Sequence, residues 1–303
     1  MRGDPEAFPG QTRDHAEHGP RGIGKRSSTT IEASEAKAQR TVSNLSTELR
    51  KHQKFRSRFL SSARDLIVYV PPGYASNSQE CFPVLYMQDG QNLFDPATSF
   101  IPGVYWNMGE TAGRLIGEGS IRPLIIVGIY NGKQRIREYT PTPDKKLGGG
   151  GADRYARAVL EDIKPFIESE YRTLEGPANT GLGGSSLGAL FTMYLGLRAA
   201  NVFGRLAVLS PSVWWNQRAI VNFVARSRLG ERPRIWLDTG TQEAANTVDH
   251  ARLLRGALIN QGWQLDRDLH YEEIEGGQHN ETAWAQRVGP CLQFLFPATE
   301  SAA

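Results

Sequence analysis

The sequence predicts an α/β fold, with a mostly parallel central sheet and helices on both faces. Two features carry this. Short apolar runs rich in β-branched residues recur without polar alternation, the composition of strands buried on both faces. Between them lie stretches with apolar residues at helical spacing, and strands alternating with helices imply parallel crossovers.

The predicted strands are Leu66–Val70 (LIVYV), Val84–Met87 (VLYM), Leu124–Tyr130 (LIIVGIY), Leu206–Leu209 (LAVL), Ile235–Leu237 (IWL) and Leu269–Glu273, with a further short strand before Ser185. The predicted helices are Ala152–Tyr171, Ser186–Ala200, Asn216–Ala225, Val248–Gln261 and Glu281–Phe294. In the first of these, Ala158, Leu160, Ile163, Phe166 and Ile167 fall on helical spacing. Punctuation falls between elements, at Pro71-Pro72-Gly73, at Pro141-Thr142-Pro143 and at Gly148–Gly151. No strand directly precedes the glycine run, so it is expected to be a mobile loop and not a phosphate cradle.

Residues 1–40 contain no Leu, Val, Trp or Tyr. Such a segment buries too little apolar surface to offset its ordering entropy, and a flexible tail is expected there. It also lacks the apolar core of a secretory signal, so the chain as written reads as cytoplasmic. Residues 41–298 are expected to form one catalytic domain, with 299–303 a short tail.

Across the 303 residues, 35 Lys and Arg stand against 32 Asp and Glu, for a net charge of +3. With no dense basic block, neither nucleic acid nor an anionic membrane is indicated as a partner. The longest apolar run, Leu124–Tyr130, falls far short of the ~20 residues of a membrane-spanning helix. Two cysteines, Cys81 and Cys291, exclude a disulfide scaffold and a four-cysteine zinc site. No HxH or HExxH spacing occurs, which argues against a metallohydrolase, and no cofactor is expected.

The chemistry concentrates in TGLGGSSLGAL (Thr180–Leu190), where Gly184-Ser185-Ser186-Leu187-Gly188 fits G-x-S-x-G between a strand and a helix. A sharp turn there lifts a serine hydroxyl above the sheet, and small residues two positions either side let strand and helix approach. Centring on Ser186 puts glycine at both flanks, whereas centring on Ser185 puts Leu187 at one. Ser186 is therefore the predicted nucleophile, with the Leu187 N–H an oxyanion donor. Of six histidines, His279 follows Glu275-Gly276-Gly277-Gln278, after the last strand and before the last helix. That places it at the sheet edge where the Ser186 turn lies, as the base. The acid is expected between them, at Glu243 or Asp238 after the strand Ile235–Leu237, with Asp249 a weaker third choice. Spacing alone does not separate the first two.

These residues together resemble the putative-esterase family of α/β hydrolases, which includes esterase D-type, feruloyl, carbohydrate and siderophore esterases and mycolyltransferases. The resemblance rests on VYVPPGY (Val68–Tyr74), VLYMQDGQNLFD (Val84–Asp95), VGIYNGKQRIREYTP (Val127–Pro141), GGSSLGAL, LSPSVWW (Leu209–Trp215), LDTGTQE (Leu237–Glu243) and GGQHNETAW (Gly276–Trp284). It spans about Val42 to Phe296 and implies the α/β-hydrolase fold. It also implies Ser186 as nucleophile, His279 as base and Glu243 as the favoured acid, with Gln91 as the second oxyanion contributor. Asn92, Trp214 and Trp215 are expected to contact substrate, although Asn92 could equally cap a helix and the tryptophans could equally pack in the core. Ala189 departs from a glycine common in relatives, and the Asp-Gly-Gln-Asn loop disfavours S-formylglutathione hydrolase activity.

The expected function is serine carboxylesterase acting through an acyl-enzyme, on short-chain, sugar-linked or hydroxycinnamoyl esters. The alternatives are a siderophore (enterobactin-type) esterase, an acyltransferase to a sugar alcohol, and a non-catalytic binding module. The partner is a small-molecule or carbohydrate ester, and oligomeric state is not readable.

Overall fold

The computed structural model describes residues 48–228 and 230–299. The tails expected at 1–40 and 299–303 lie outside the described residues, Thr299 excepted. The strands of the main sheet are β1 Glu48–Phe55, β2 Arg64–Val70, β3 Val84–Gln88, β4 Ile125–Ile129, β5 Thr180–Ser185, β6 Arg205–Leu209, β7 Arg234–Gly240 and β8 Leu269–Ile274. They form one eight-stranded sheet in the order β1-β2-β4-β3-β5-β6-β7-β8. β2 pairs antiparallel with β1 and β4, and every other pairing is parallel.

The interior strands alternate between two cores. Leu66, Val68, Val84, Tyr86, Val127, Leu206, Val208, Ile235 and Leu237 face one side. Ile67, Tyr69, Leu85, Met87, Ile126, Ala207, Leu209 and Trp236 face the other. Both faces are dry, which is why these runs read as continuously apolar.

Seven helices flank the sheet among the described residues: α1 Met108–Gly117, α2 Arg135–Tyr139, α3 (Ala152–Ala158 continuing to Glu170), α4 Leu187–Arg198, α5 Trp215–Arg226, α6 Thr247–Asn260 and α7 Glu281–Leu295. The first core takes apolar residues of α3 to α6, and the second those of α1 and α7. α4 has eleven buried residues in succession from Leu187 to Leu197, so the helix that carries the Ser186 turn is sealed on all sides. In α3, Val159–Ile163 forms a π-turn, with Lys164 N–H bonded to Val159 O. Pro165 explains it, since its ring lacks an N–H and crowds the carbonyl four residues back.

Several features differ from the sequence-based expectation, among them the short helix α2, which was not predicted. β1 was not predicted, because ELRKHQKF is a polar edge strand without an apolar run. α1 was not predicted either, as its small residues weaken the helical period. The glycine run is paired: Gly148 and Gly149 ladder with Asp144 and Pro143, and Gly150 N–H donates to Thr140 Oγ1. Cys81 is exposed and Cys291 buried, both as free thiols. Among the described residues no helix is long and apolar enough to cross a membrane, and no cluster of three or more His, Cys, Asp or Glu could hold a metal.

Candidate active site

Ser186 lies between the end of β5 and the start of α4, with φ 57° and ψ −121°. This backbone region is costly for any residue with a side chain, and such turns persist only where the surroundings impose them. Its N–H bonds to Leu209 O of the neighbouring strand, and its carbonyl accepts from Leu190 and Ser212. The flanking glycines allow the close approach, Gly184 more strictly than Gly188. A Cβ on Gly184 would lie 2.9 Å from the Gly188 carbonyl carbon, and one on Gly188 would lie 3.1 Å from Gln88 Cβ.

His279 sits just before Asn280, whose Oδ1 caps α7 by accepting from Ala283 N–H at 2.9 Å. The cap fixes the chain as it enters the helix and so fixes the imidazole. The loop after β7 is tied to the histidine loop by Thr241 N–H to Ile274 O, Gln242 N–H to Gly277 O and Gly276 N–H to Thr241 Oγ1. These three bonds clamp the two loops together.

These anchors bring Ser186, His279 and Glu243 into line. Ser186 Oγ is 2.9 Å from His279 Nε2, and His279 Nδ1 is 2.8 Å from Glu243 Oε2. Glu243 Oε1 accepts from Gly240 N–H at 2.7 Å and from Ser210 Oγ. Burial works to raise the Glu243 carboxyl, but the hydrogen bonds from His279, Ser210 and Gly240 outweigh it and hold the group below its ordinary value. A carboxylate that stays charged against His279 favours the tautomer with its proton on Nδ1, leaving Nε2 to accept from the Ser186 hydroxyl.

The two alternative acids are placed elsewhere. Asp238 Oδ1 accepts from Arg287 Nη1 at 2.8 Å and from Ser210 N–H at 3.1 Å, and Oδ2 accepts from Trp236 Nε1 at 2.7 Å. Burial pushes its carboxyl up. Asp249 faces Arg252 on α6 at 3.7 Å. Of the three other histidines in the described residues, His52 bonds Tyr171 Oη at 2.7 Å and His270 stacks on Trp236, while His250 lies within α6.

Leu187 opens α4, and its N–H belongs to the helix's first turn, which has no intrahelical acceptor. Gln91 lies in a 3₁₀ turn, Gly90–Asn92, beside the serine. Its Oε1 accepts from Asn131 N–H at 3.2 Å and its carbonyl from Thr98 Oγ1 at 2.8 Å, which immobilises the turn. Asn92 lines the cleft, but its side chain is engaged within the protein: Nδ2 donates to Glu281 Oε1 and Oδ1 accepts from Phe100 N–H at 2.9 Å. It pins the Thr98–Phe100 loop. Trp215 is buried, and its Nε1 donates to Thr142 O at 2.8 Å, while Trp214 is half exposed and packs on Trp215. Neither lines the cleft. Apolar area drew Trp215 into the core, where its one polar atom found a carbonyl.

The cleft itself encloses about 620 Å³ and is lined by Ser186, His279, Gln91, Phe100, Tyr130 and Trp284, with Arg135 and Asn131 at its polar side. Its volume suits a small organic molecule. Sequence reasoning missed Trp284, Ser210, Ser212 and Arg287. The Trp284 ring meets His279 edge-on at 5.0 Å, and Ser212 Oγ lies 3.2 Å from Ser186 Oγ. Trp284 and Arg287 stand three apart on α7 and so share a face, but an arginine in a helix is ordinarily solvated and gives no sign of turning inward.

A family model described as putative esterase matches residues 57–294. Among curated proteins the chain is 27% identical over 251 residues to the uncharacterised protein YbbA of Bacillus subtilis, covering 78% of this chain and 94% of that one. It is 29% identical over 173 residues to the ferri-bacillibactin esterase BesA of the same organism, covering 50% and 56%. Among solved structures, a ferulic acid esterase from Anaeromyces mucronatus, in complex with ferulic acid, superposes with a TM-score of 0.64 at 19% identity, covering 83% of this chain and 92% of that one. At that identity the likeness concerns the fold.

Proposed function

Because the chain belongs to the putative esterase family of α/β hydrolases, we propose that it is a serine carboxylesterase working through an acyl-enzyme. The family and its neighbours support an ester hydrolase. The assignment of roles rests on one observation, the unbroken line from Glu243 through His279 to Ser186 at 2.8 and 2.9 Å.

Ser186 Oγ attacks the ester carbonyl carbon while its proton passes to His279 Nε2. The carbonyl oxygen takes the electron pair and is held by the N–H groups of Leu187 and Gln91; each such donor is worth about 10²- to 10³-fold in rate. Collapse of the tetrahedral species expels the alcohol, which takes the proton from His279 and leaves the acyl group on Ser186. Water then attacks the acyl carbon, giving its proton to His279, and the carboxylic acid departs as the Ser186 hydroxyl is restored. Glu243 stabilises the imidazolium formed in each half-reaction.

The substrate class we favour is an ester of a short-chain or hydroxycinnamic acid, with a sugar as one natural alcohol. Three aromatic side chains around a cleft of about 620 Å³ support it, since they offer flat apolar contact to a ring. The test is hydrolysis of acetyl to decanoyl nitrophenyl esters, methyl ferulate and a catecholate siderophore ester by the wild type and Ser186→Ala. Turnover lost in the variant supports the nucleophile, and the profile across the panel sizes the acyl site. Turnover retained by Ser186→Ala sinks the reading.

A further inference from the structure

Ser210 directly follows the strand β6 at zero solvent exposure, with φ 45°. That region favours glycine, and a side chain there costs about 1–3 kcal/mol. Its backbone N–H is already taken, donating to Asp238 O at 3.0 Å and Asp238 Oδ1 at 3.1 Å. What a serine adds over a glycine is the hydroxyl.

The surroundings of that hydroxyl leave it one arrangement. Trp284 Nε1 lies 3.0 Å from Ser210 Oγ and Arg287 Nη1 lies 2.8 Å from it. Indole and guanidinium groups only donate, so both lone pairs of the oxygen are occupied and its single proton cannot point at either neighbour. The remaining polar partner is Glu243 Oε1, to which Ser210 Oγ donates in a charge-assisted bond. With Gly240 N–H on the same oxygen, Oε1 is filled, and Oε2 is left for His279.

The network also handles charge. Arg287 Nη2 stands 3.6 Å from Glu243 Oε1, close enough to oppose an imidazolium on the far side of the carboxylate. Asp238, 2.8 Å from Arg287 Nη1, neutralises it and leaves the Glu243 charge for His279. Trp284 joins the two ends: its N–H fixes Ser210, and its ring meets the imidazole.

We propose that Ser210 is a positioning residue for the reaction. Its hydroxyl, oriented by Trp284 and Arg287, holds the Glu243 carboxylate in the rotation that presents Oε2 to His279. This rests on the acyl-enzyme reading above.

Ser210→Gly tests it, because glycine relieves the backbone strain while deleting the hydroxyl. The expected result is a kcat about 10- to 100-fold lower on a nitrophenyl ester, the worth of one hydrogen bond to a charged group, with KM within about twofold. The low-field proton resonance of His279 Nδ1–H should shift or broaden. Ser210→Ala, which keeps the Cβ, serves the same comparison if the glycine variant does not fold. A folded variant with wild-type kcat and an unmoved resonance overturns the proposal, as does a lowered Tm with kcat unchanged. Ser186→Ala run alongside separates the failures. Turnover retained there removes the triad reading itself, whereas turnover lost there but normal in Ser210→Gly removes only the role of Ser210.

Discussion

Arg287 Nη1 lies 2.8 Å from Asp238 Oδ1, and both side chains are sealed from solvent. The pair separates the two acids that spacing leaves equal. Asp238 spends its oxygens on Arg287, Trp236 and the Ser210 N–H, so it faces away from the imidazole. Glu243, beyond the turn at Gly240, turns back to reach His279.

Asp238→Asn therefore acts on stability. An amide nitrogen cannot accept, so either Arg287 Nη1 or Trp236 Nε1 loses its acceptor on residue 238, and a buried donor left unsatisfied costs about 1–3 kcal/mol. Denaturant unfolding should give a midpoint well below wild type, while kcat per folded molecule falls far less than in Glu243→Gln. A variant as stable as wild type but inactive would reverse the two assignments.

Glu243→Gln should fold and lose about 10³- to 10⁴-fold in kcat, because the amide neither fixes the tautomer nor stabilises the imidazolium. Steady-state kinetics on a nitrophenyl ester checks this, with KM expected to change little. A loss under tenfold would mean that another group supports His279.

Gly90→Ala should disturb the turn proposed to hold the oxyanion. A Cβ there would lie 2.4 Å from the Gly128 carbonyl carbon and 2.7 Å from its oxygen, and β4, paired on both sides within the sheet, has little room to yield. The turn must shift, carrying the Gln91 N–H with it. The expected cost is about 1–3 kcal/mol in stability and about 10²-fold in kcat. Unchanged kcat in a folded variant would remove Gln91 from the oxyanion site.

The strands β2, β3, β4, β6 and β7 were legible because burial on both faces leaves a composition no exposed segment shares. The positions of Ser186, between strand and helix, and of His279, before the last helix, were legible because strand ends and tight turns leave local marks, glycines above all. Rotation of side chains about a helix is not marked in this way. Trp215 and Trp214 are adjacent and chemically alike, yet one fills the core and the other stands at the surface. Arg287 and Asp238 meet across 49 residues of chain, and only the packing of α7 against β7 brings them together. Trp214→Ala is accordingly expected to leave stability within about 0.5 kcal/mol and KM for a nitrophenyl ester unchanged, whereas Trp215→Ala should cost about 3–5 kcal/mol. A raised KM in Trp214→Ala would bring that ring back to the substrate.

The pH dependence of stability tests the Glu243 environment without any substrate. Its carboxyl is held below its ordinary value of 4.5 in the folded protein. Between that value and 4.5 the unfolded chain binds more protons than the folded one, so stability rises with pH through this window. The contribution is complete above 4.5 and is lost as pH falls through the folded value. Asp238 runs the other way. Its carboxyl is raised above 3.8, so lowering the pH toward 3.8 relieves the cost of its buried charge. Comparing wild type with Glu243→Gln, both of which retain Asp238, reports Glu243 together with its coupling to Asp238 through Arg287. The difference in Tm should be full near about pH 6 and should narrow steadily below about pH 4.5. A difference that stays constant, or widens on acidification, would mean that the hydrogen bonds from His279, Ser210 and Gly240 do not favour the charged carboxylate.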